Sequence, residues 1–159
     1  MGTEKLKFEL QLYSTYYNKP PIVEIVFDNK SYFKREIVAT KDAPEVIEFE
    51  HEVNENESHS LVINRSGKDI KQTVIKNEKI IIDQLLHIKH IEIDEIDIGA
   101  LVYEGVYTPI YAEPWASQQA KLGNKLPESY KNVTNLGHNG TWTFSFTSPF
   151  YMWLLENLY

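Results

Sequence analysis

The sequence contains no cysteine, so disulfide frameworks, thiol catalysis and cysteine-ligated zinc are excluded. No apolar run approaches the roughly 18 residues of a membrane span, and the start, Met1-Gly2-Thr3-Glu4-Lys5, has no signal-peptide layout. No membrane partner is therefore expected. Positive charge is also short, with 16 Lys and Arg against 23 Asp and Glu and a net charge of -7. That balance argues against holding nucleic acid through its phosphates. Nucleophile and phosphate-binding signatures are missing as well: no G-x-S-x-G, no Walker A loop, no G-x-G-x-x-G. Gly67-Lys68-Asp69 lacks the upstream glycine spacing of a phosphate cradle. No catalytic residue is expected, and the chain is read as a non-enzyme.

What is present is material for a core: 42% of the chain is hydrophobic and 13% of it aromatic, within a length suited to one domain. The two ends differ. Residues 1–98 carry 19 of the 23 acids and 13 of the 16 basic residues, but only 8 of the 20 aromatics. Residues 99–159 carry the other 12, including all three tryptophans. The shift predicts a β-sandwich domain over 1–98 and an aromatic docking extension over 99–159.

Period-2 alternation dominates the first part. Leu6, Phe8, Leu10 and Leu12 alternate with polar residues; so do Ile47, Phe49, His51 and Val53, and later His59, Leu61 and Ile63. Ile22–Phe27 ends at Asp28-Asn29-Lys30, a turn signal, and Asn64-Arg65-Ser66-Gly67 reads as another. Lys79–Asp83 and Leu86–Asp94 add two strands. Ile91–Ile98, nearly symmetric about Asp94-Glu95, reads as a tight hairpin or as a strand bent over a sheet edge. The fold class expected is all-β: an antiparallel, jelly-roll-like sandwich with an aromatic-rich C-terminal extension and a short terminal helix. In that extension Ser117–Leu122 suggests a helical turn. Asn139-Gly140 predicts a tight hairpin delivering Trp142, Phe144 and Phe146 to a buried face. Ser148-Pro149 predicts a cap for a helix over residues 150–158. That helix is apolar almost all round, so this chain or another must cover it.

Candidate chemistry is sparse. His87 and His90 stand three apart near Asp94 and Asp97, but on a strand such residues point to opposite faces unless a bulge intervenes. No metal-ligating residue is therefore assigned. Asp28, Asp83, Asp94, Glu95 and Asp97 offer hard oxygens suited to calcium, but no D-x-D-x-D-G loop gathers them. The six glutamates from Glu45 to Glu57 lie along one strand and read as a solvated face. Exposed tyrosine and tryptophan can stack on sugar rings or anchor an interface. Tyr103, Tyr107, Trp115, Phe150, Trp153, Leu154 and Leu158 are assigned to an interface. Tyr16, Tyr17 and Asp97 are assigned to glycan binding.

Two stretches carry a resemblance: Asp83 through Ile98, and Gly137 through Leu158 with its Thr141-Trp142-Thr143-Phe144-Ser145-Phe146 strand. They resemble small structural or uncharacterised proteins of tailed phages of marine bacteria, cyanophages especially. The first 98 residues also resemble the jelly roll of calcium-dependent xylan-binding modules, in which a late isoleucine-aspartate strand closes the sandwich. The first resemblance implies a virion structural or accessory protein, made in the host cytoplasm and built into capsid, tail or fibre. Its partners would be other virion subunits or copies of itself, with no cofactor. The second implies a carbohydrate-binding module for host cell-surface glycan, with calcium as its cofactor.

Overall fold

A computed structural model describes residues 2–16, 18–68, 74–77, 79–111 and 113–158. Two antiparallel sheets face each other. The first has the order β11-β8-β1-β4, with β9 pairing β8, and the second β10-β12-β5-β2-β3. The strands are β1 (Thr3–Thr15), β2 (Ile22–Phe27), β3 (Lys30–Glu36), β4 (Glu45–Asn54), β5 (Ser58–Ser66), β6 (Val74–Lys76), β7 (Lys79–Ile82), β8 (Leu85–Ile93), β9 (Ile96–Asp97), β10 (Val106–Pro109), β11 (Asn135–Leu136) and β12 (Gly140–Thr147). β6 and β7 pair as a separate ribbon. A 3-10 turn spans Gly99–Glu104, and two helices, α1 (Trp115–Lys121) and α2 (Phe150–Leu158), complete the order.

Alternation translates directly into burial. Leu6, Phe8, Leu10 and Leu12 are fully buried and meet Val23, Ile25, Phe27, Leu61 and Ile63 of the opposite sheet. An aromatic seam fills the interior: Phe8 lies 4.7 Å from Phe27 and 4.8 Å from Phe49, ring centre to ring centre. Phe27 in turn faces Phe146. The hydrophobic effect drives this closure, because each such ring removes a large apolar area from water.

Residues 99–159 share that core. β11 extends the first sheet, and β10 and β12 extend the second, with β12 between β10 and β5. Asn139-Gly140 closes no hairpin, since β11 and β12 on either side of it lie in different sheets. The Asn139 side chain acts as a clamp instead: Oδ1 accepts from Arg65 Nη1 and the Lys68 N–H, and Nδ2 donates to the Lys68 carbonyl. The aromatics of β12 are buried as expected, with Trp142, Phe144 and Phe146 at 0–1% exposure. β5 also runs on through Asn64, Arg65 and Ser66 of the expected turn, because Arg65 points inward and pairs with Val23 and Gly140. Arg65 is 2% exposed, and burial lowers its pKa to about 10.

Helix α2 covers the residue range expected. Its first free N–H, that of Phe150, donates to a Glu4 carboxylate oxygen at 2.8 Å, and the Ser148 hydroxyl donates to the same oxygen. The cap therefore comes from β1, with Ser148 holding the capping carboxylate. Phe150 and Leu154 are buried in the core, and Trp153 packs on Phe144, Phe146 and Phe150.

Candidate functional site

The outer face of the first sheet is polar. On β1 the outward residues are Lys5, Lys7, Glu9, Gln11 and Tyr13; on β4 they include Glu48, Glu50 and Glu52, all three exposed. The Glu45–Glu57 stretch therefore presents part of a solvated face, as its alternation implies.

β8 departs from strict alternation. Leu12 pairs with Ile88 and Gln11 with His90, so Lys89 is the extra residue of a β-bulge. Leu86, Ile88, Ile91 and Ile93 point into the core, and His87, His90 and Glu92 all point outward. The two histidines thus share a face, and the ground for assigning no metal ligand is removed. Register decides the rest. The cross-strand pairs are Tyr13 with His87, Gln11 with His90, and Glu9 with Glu92. Glu9 also stands opposite Glu48, and Glu92 opposite Asp97. Sequence reasoning missed this row of four carboxylates, because pairing across strands leaves no mark on local spacing.

Three features build the site. At one end the Tyr13 ring stacks on His87, with centres 4.4 Å apart and planes 11° apart. His87 is held there by hydrogen bonds to Thr15 Oγ1 at 2.9 Å and Asn135 Oδ1 at 2.6 Å. In the middle, His90 Nε2 lies 3.0 Å from Glu92 Oε1, and its Nδ1 lies 3.6 Å from Asp97 Oδ2. At the far end Lys7, Glu9, Glu48, Glu92 and Glu95 line a hollow of about 320 Å³.

The expected glycan residues do not meet. Tyr16 is exposed beyond the end of β1, while Asp97 lies beside Glu92 and hence level with Glu9. Seven strand residues separate the two levels, about 24 Å. Tyr17 lies outside the described residues. The five acids considered for calcium are dispersed as well. Asp28 accepts from His59 and from the Ser60 N–H, Asp83 pairs with Lys68, and Asp94 and Glu95 form the exposed β8–β9 turn. Asp97 caps the Gly99 N–H. β8 alone holds Asp83 and Asp94 roughly 30 Å apart, so these acids do not converge on one ion.

Of the interface residues, Tyr107, Phe150 and Leu154 are buried in this chain's own core. Trp115 is half-buried, stacked on His138 with Tyr111 alongside. Tyr103 and Leu158 are exposed, and Trp153 is partly covered. Burial lowers the His138 pKa, with Lys68 adding to the effect and Asp83 opposing it. Burial raises Tyr107 to about 12.

No protein-family model matches the chain, and no curated protein matches it. Among solved structures it is similar to vCBM60 in complex with galactobiose, with TM-score 0.49 and 11% identity over 87% of this chain and 96% of that one. It is also similar to a selenomethionine form of vCBM60, described with calcium-dependent carbohydrate binding modules, with TM-score 0.49 and 10% identity over 87% and 89% of the two chains. Neither figure reaches beyond overall shape, so the function rests on the site itself.

Proposed function

We propose that the chain is a non-catalytic binding module that holds a glycan on the outer face of its first sheet. One observation carries the reading: three consecutive cross-strand rows, Tyr13/His87, Gln11/His90 and Glu9/Glu92, place a ring beside paired hydrogen-bonding side chains on a partly exposed face. Sugars need that combination, since a ring face stacks on an aromatic while hydroxyls exchange hydrogen bonds with amides and carboxylates. The surplus of carboxylates on this face favours neutral glycans over uronates or sulfated chains, which like charge would repel.

Electrophoresis through gels containing neutral polysaccharides tests the reading. Retardation is expected, and Tyr13→Ala or Gln11→Ala should weaken it at least tenfold. Thr143→Ala, on the outer face of the second sheet, should leave it unchanged. A chain that migrates freely through every glycan, or that responds equally to variants on both faces, would overturn it.

The expected docking of subunits keeps one supporting observation. Tyr151, Met152, Leu155 and Leu158 leave α2 with an exposed apolar side, at 42–59% exposure. If that side docks, changing Met152 and Leu155 together to lysine should lower the mass seen by sedimentation and leave the melting temperature unaltered. An unchanged mass would remove this reading.

A further inference from the structure

We infer that Glu9, His90 and Glu92 form a binding site for a divalent transition metal of the zinc class. One ligand atom from each can be chosen so that all three lie within 4.8 Å of one another. A metal bound at ~2.1 Å would draw tetrahedral ligands to about 3.4 Å apart. Half-buried glutamates on an open sheet face reach that by side-chain rotation, with no movement of the strands.

The histidine separates this set from an ordinary solvated acidic face. Its Nε2 lies 3.0 Å from Glu92 Oε1, and on its other side Asp97 Oδ2 stands 3.6 Å from Nδ1. A carboxylate on the side of the distal nitrogen is the arrangement that orients a ligating imidazole. A nitrogen in the set favours zinc-class ions over calcium, which takes six to eight oxygens. The bulge at Lys89 belongs to the same construction, since it seats His90 opposite Gln11, one row from Glu9 and Glu92.

The register gives an independent reason for a cation here. Glu48, Glu9, Glu92 and Asp97 stand directly opposite one another across four strands. Like charges in that relation are destabilising. Among the described residues lining the hollow beside them, Lys7 is the one cation, against Glu9, Glu48, Glu92 and Glu95. A bound dication relieves the repulsion in the middle of the row, and the hollow leaves water room to complete the coordination shell.

This site does not depend on the glycan reading, and its test uses no sugar. The full chain, stripped with chelator, is titrated with Zn²⁺ and separately with Ca²⁺ by calorimetry and thermal melting. Saturating zinc should bind at one ion per chain and raise the melting temperature by roughly 5 °C or more; calcium should do neither. Glu9→Gln and His90→Gln should each weaken zinc at least tenfold, while His87→Gln on the same face leaves it unchanged. A readout without variants guards against misfolding: Co²⁺ should broaden the ring protons of His90 in NMR spectra before those of His87. Absence of zinc uptake, an equal response to calcium, undiminished binding in the two variants, or first broadening at another histidine would each overturn the site.

Discussion

A methyl group added at Gly140 would sit 2.4 Å from the Thr108 carbonyl oxygen and 2.8 Å from the Pro109 Cα. Both atoms are backbone of β10, which pairs Thr108 with Thr141 and Pro109 with Gly140. The glycine is needed for this close approach, and no tight turn is involved. Gly140→Ala should therefore cost ~1–3 kcal/mol as an overpacked site, against less than about 0.5 for the outward Thr143→Val. Urea denaturation distinguishes them, and equal midpoints would refute the account. His138 makes a second test at this scale. Its lowered pKa means that the fold holds the ring neutral, so its contribution is present above the ordinary value near 6.5 and is lost as pH falls below that. In His138→Phe the ring contacts with Tyr111 and Trp115 survive without a titrating group. Melting curves should show the wild type losing ground to this variant as pH drops from about 7 to 5, with a constant gap above pH 7. A gap that does not change with pH would show that the His138 environment is misread.

Elements show where local rules were met and by whom. The β8–β9 turn has positive φ at both central residues, Asp94 at 56° and Glu95 at 66°, as a two-residue hairpin requires. The hairpin forms without the glycine that such turns prefer, because Ile93 and Ile96 pair across it and Asp97 caps Gly99. Left-handed backbone costs an L-residue ~1–2 kcal/mol, partly offset by the entropy that glycine would lose. Glu95→Gly should therefore gain up to about 1 kcal/mol in chemical denaturation; a loss would show that the Glu95 side chain is needed. Lys89 permits a sharper test. Because it is surplus to the ladder, deleting it leaves Ile88 and His90 consecutive against Leu12 and Gln11, with every inward residue still inward. That deletion should fold. Deleting Glu92 instead turns Ile93 out of the core and should abolish soluble protein; equal behaviour of the two would disprove the bulge.

Across the whole molecule the two ends of the chain secure each other. Glu4, on the first strand, holds Ser148 and the start of α2, and the Asn56 N–H donates to the Ser148 carbonyl. Removing residues 149–159 exposes the core beneath Phe150 and Leu154, each worth ~1.5–3 kcal/mol of burial, and takes the Phe150 N–H away from the Glu4 carboxylate. Against a total of about 5–15 kcal/mol the truncated chain should melt far lower or aggregate, as circular dichroism on heating would show. A truncated chain with an unaltered melting curve would mean that α2 lies outside the cooperative unit.

The sequence by itself determined the class of fold, because side chains on a strand alternate between faces whatever the rest of the chain does, and Leu6–Leu12 or Trp142–Phe146 can satisfy water only by burying one face. It determined α2 through an apolar run opened by Ser148-Pro149, and it marked the Asp28-Asn29 turn by its polar turn residues and the Asp94-Glu95 turn by the near-symmetry of Ile91–Ile98. It could not set strand order. The aromatic segment from Gly99 onward looked like a docking extension because nothing local reveals that β12 slots between β10 and β5. Nor could it show that Arg65 turns inward or that Asn139 clamps it. The candidate site was the least legible part. Whether His87 and His90 share a face depends on one unpaired residue against β1, and whether Glu9 meets Glu92 and Glu48 depends on register over separations of tens of residues. Those contacts are chosen by the packing of the whole core, so the tertiary structure alone decided them.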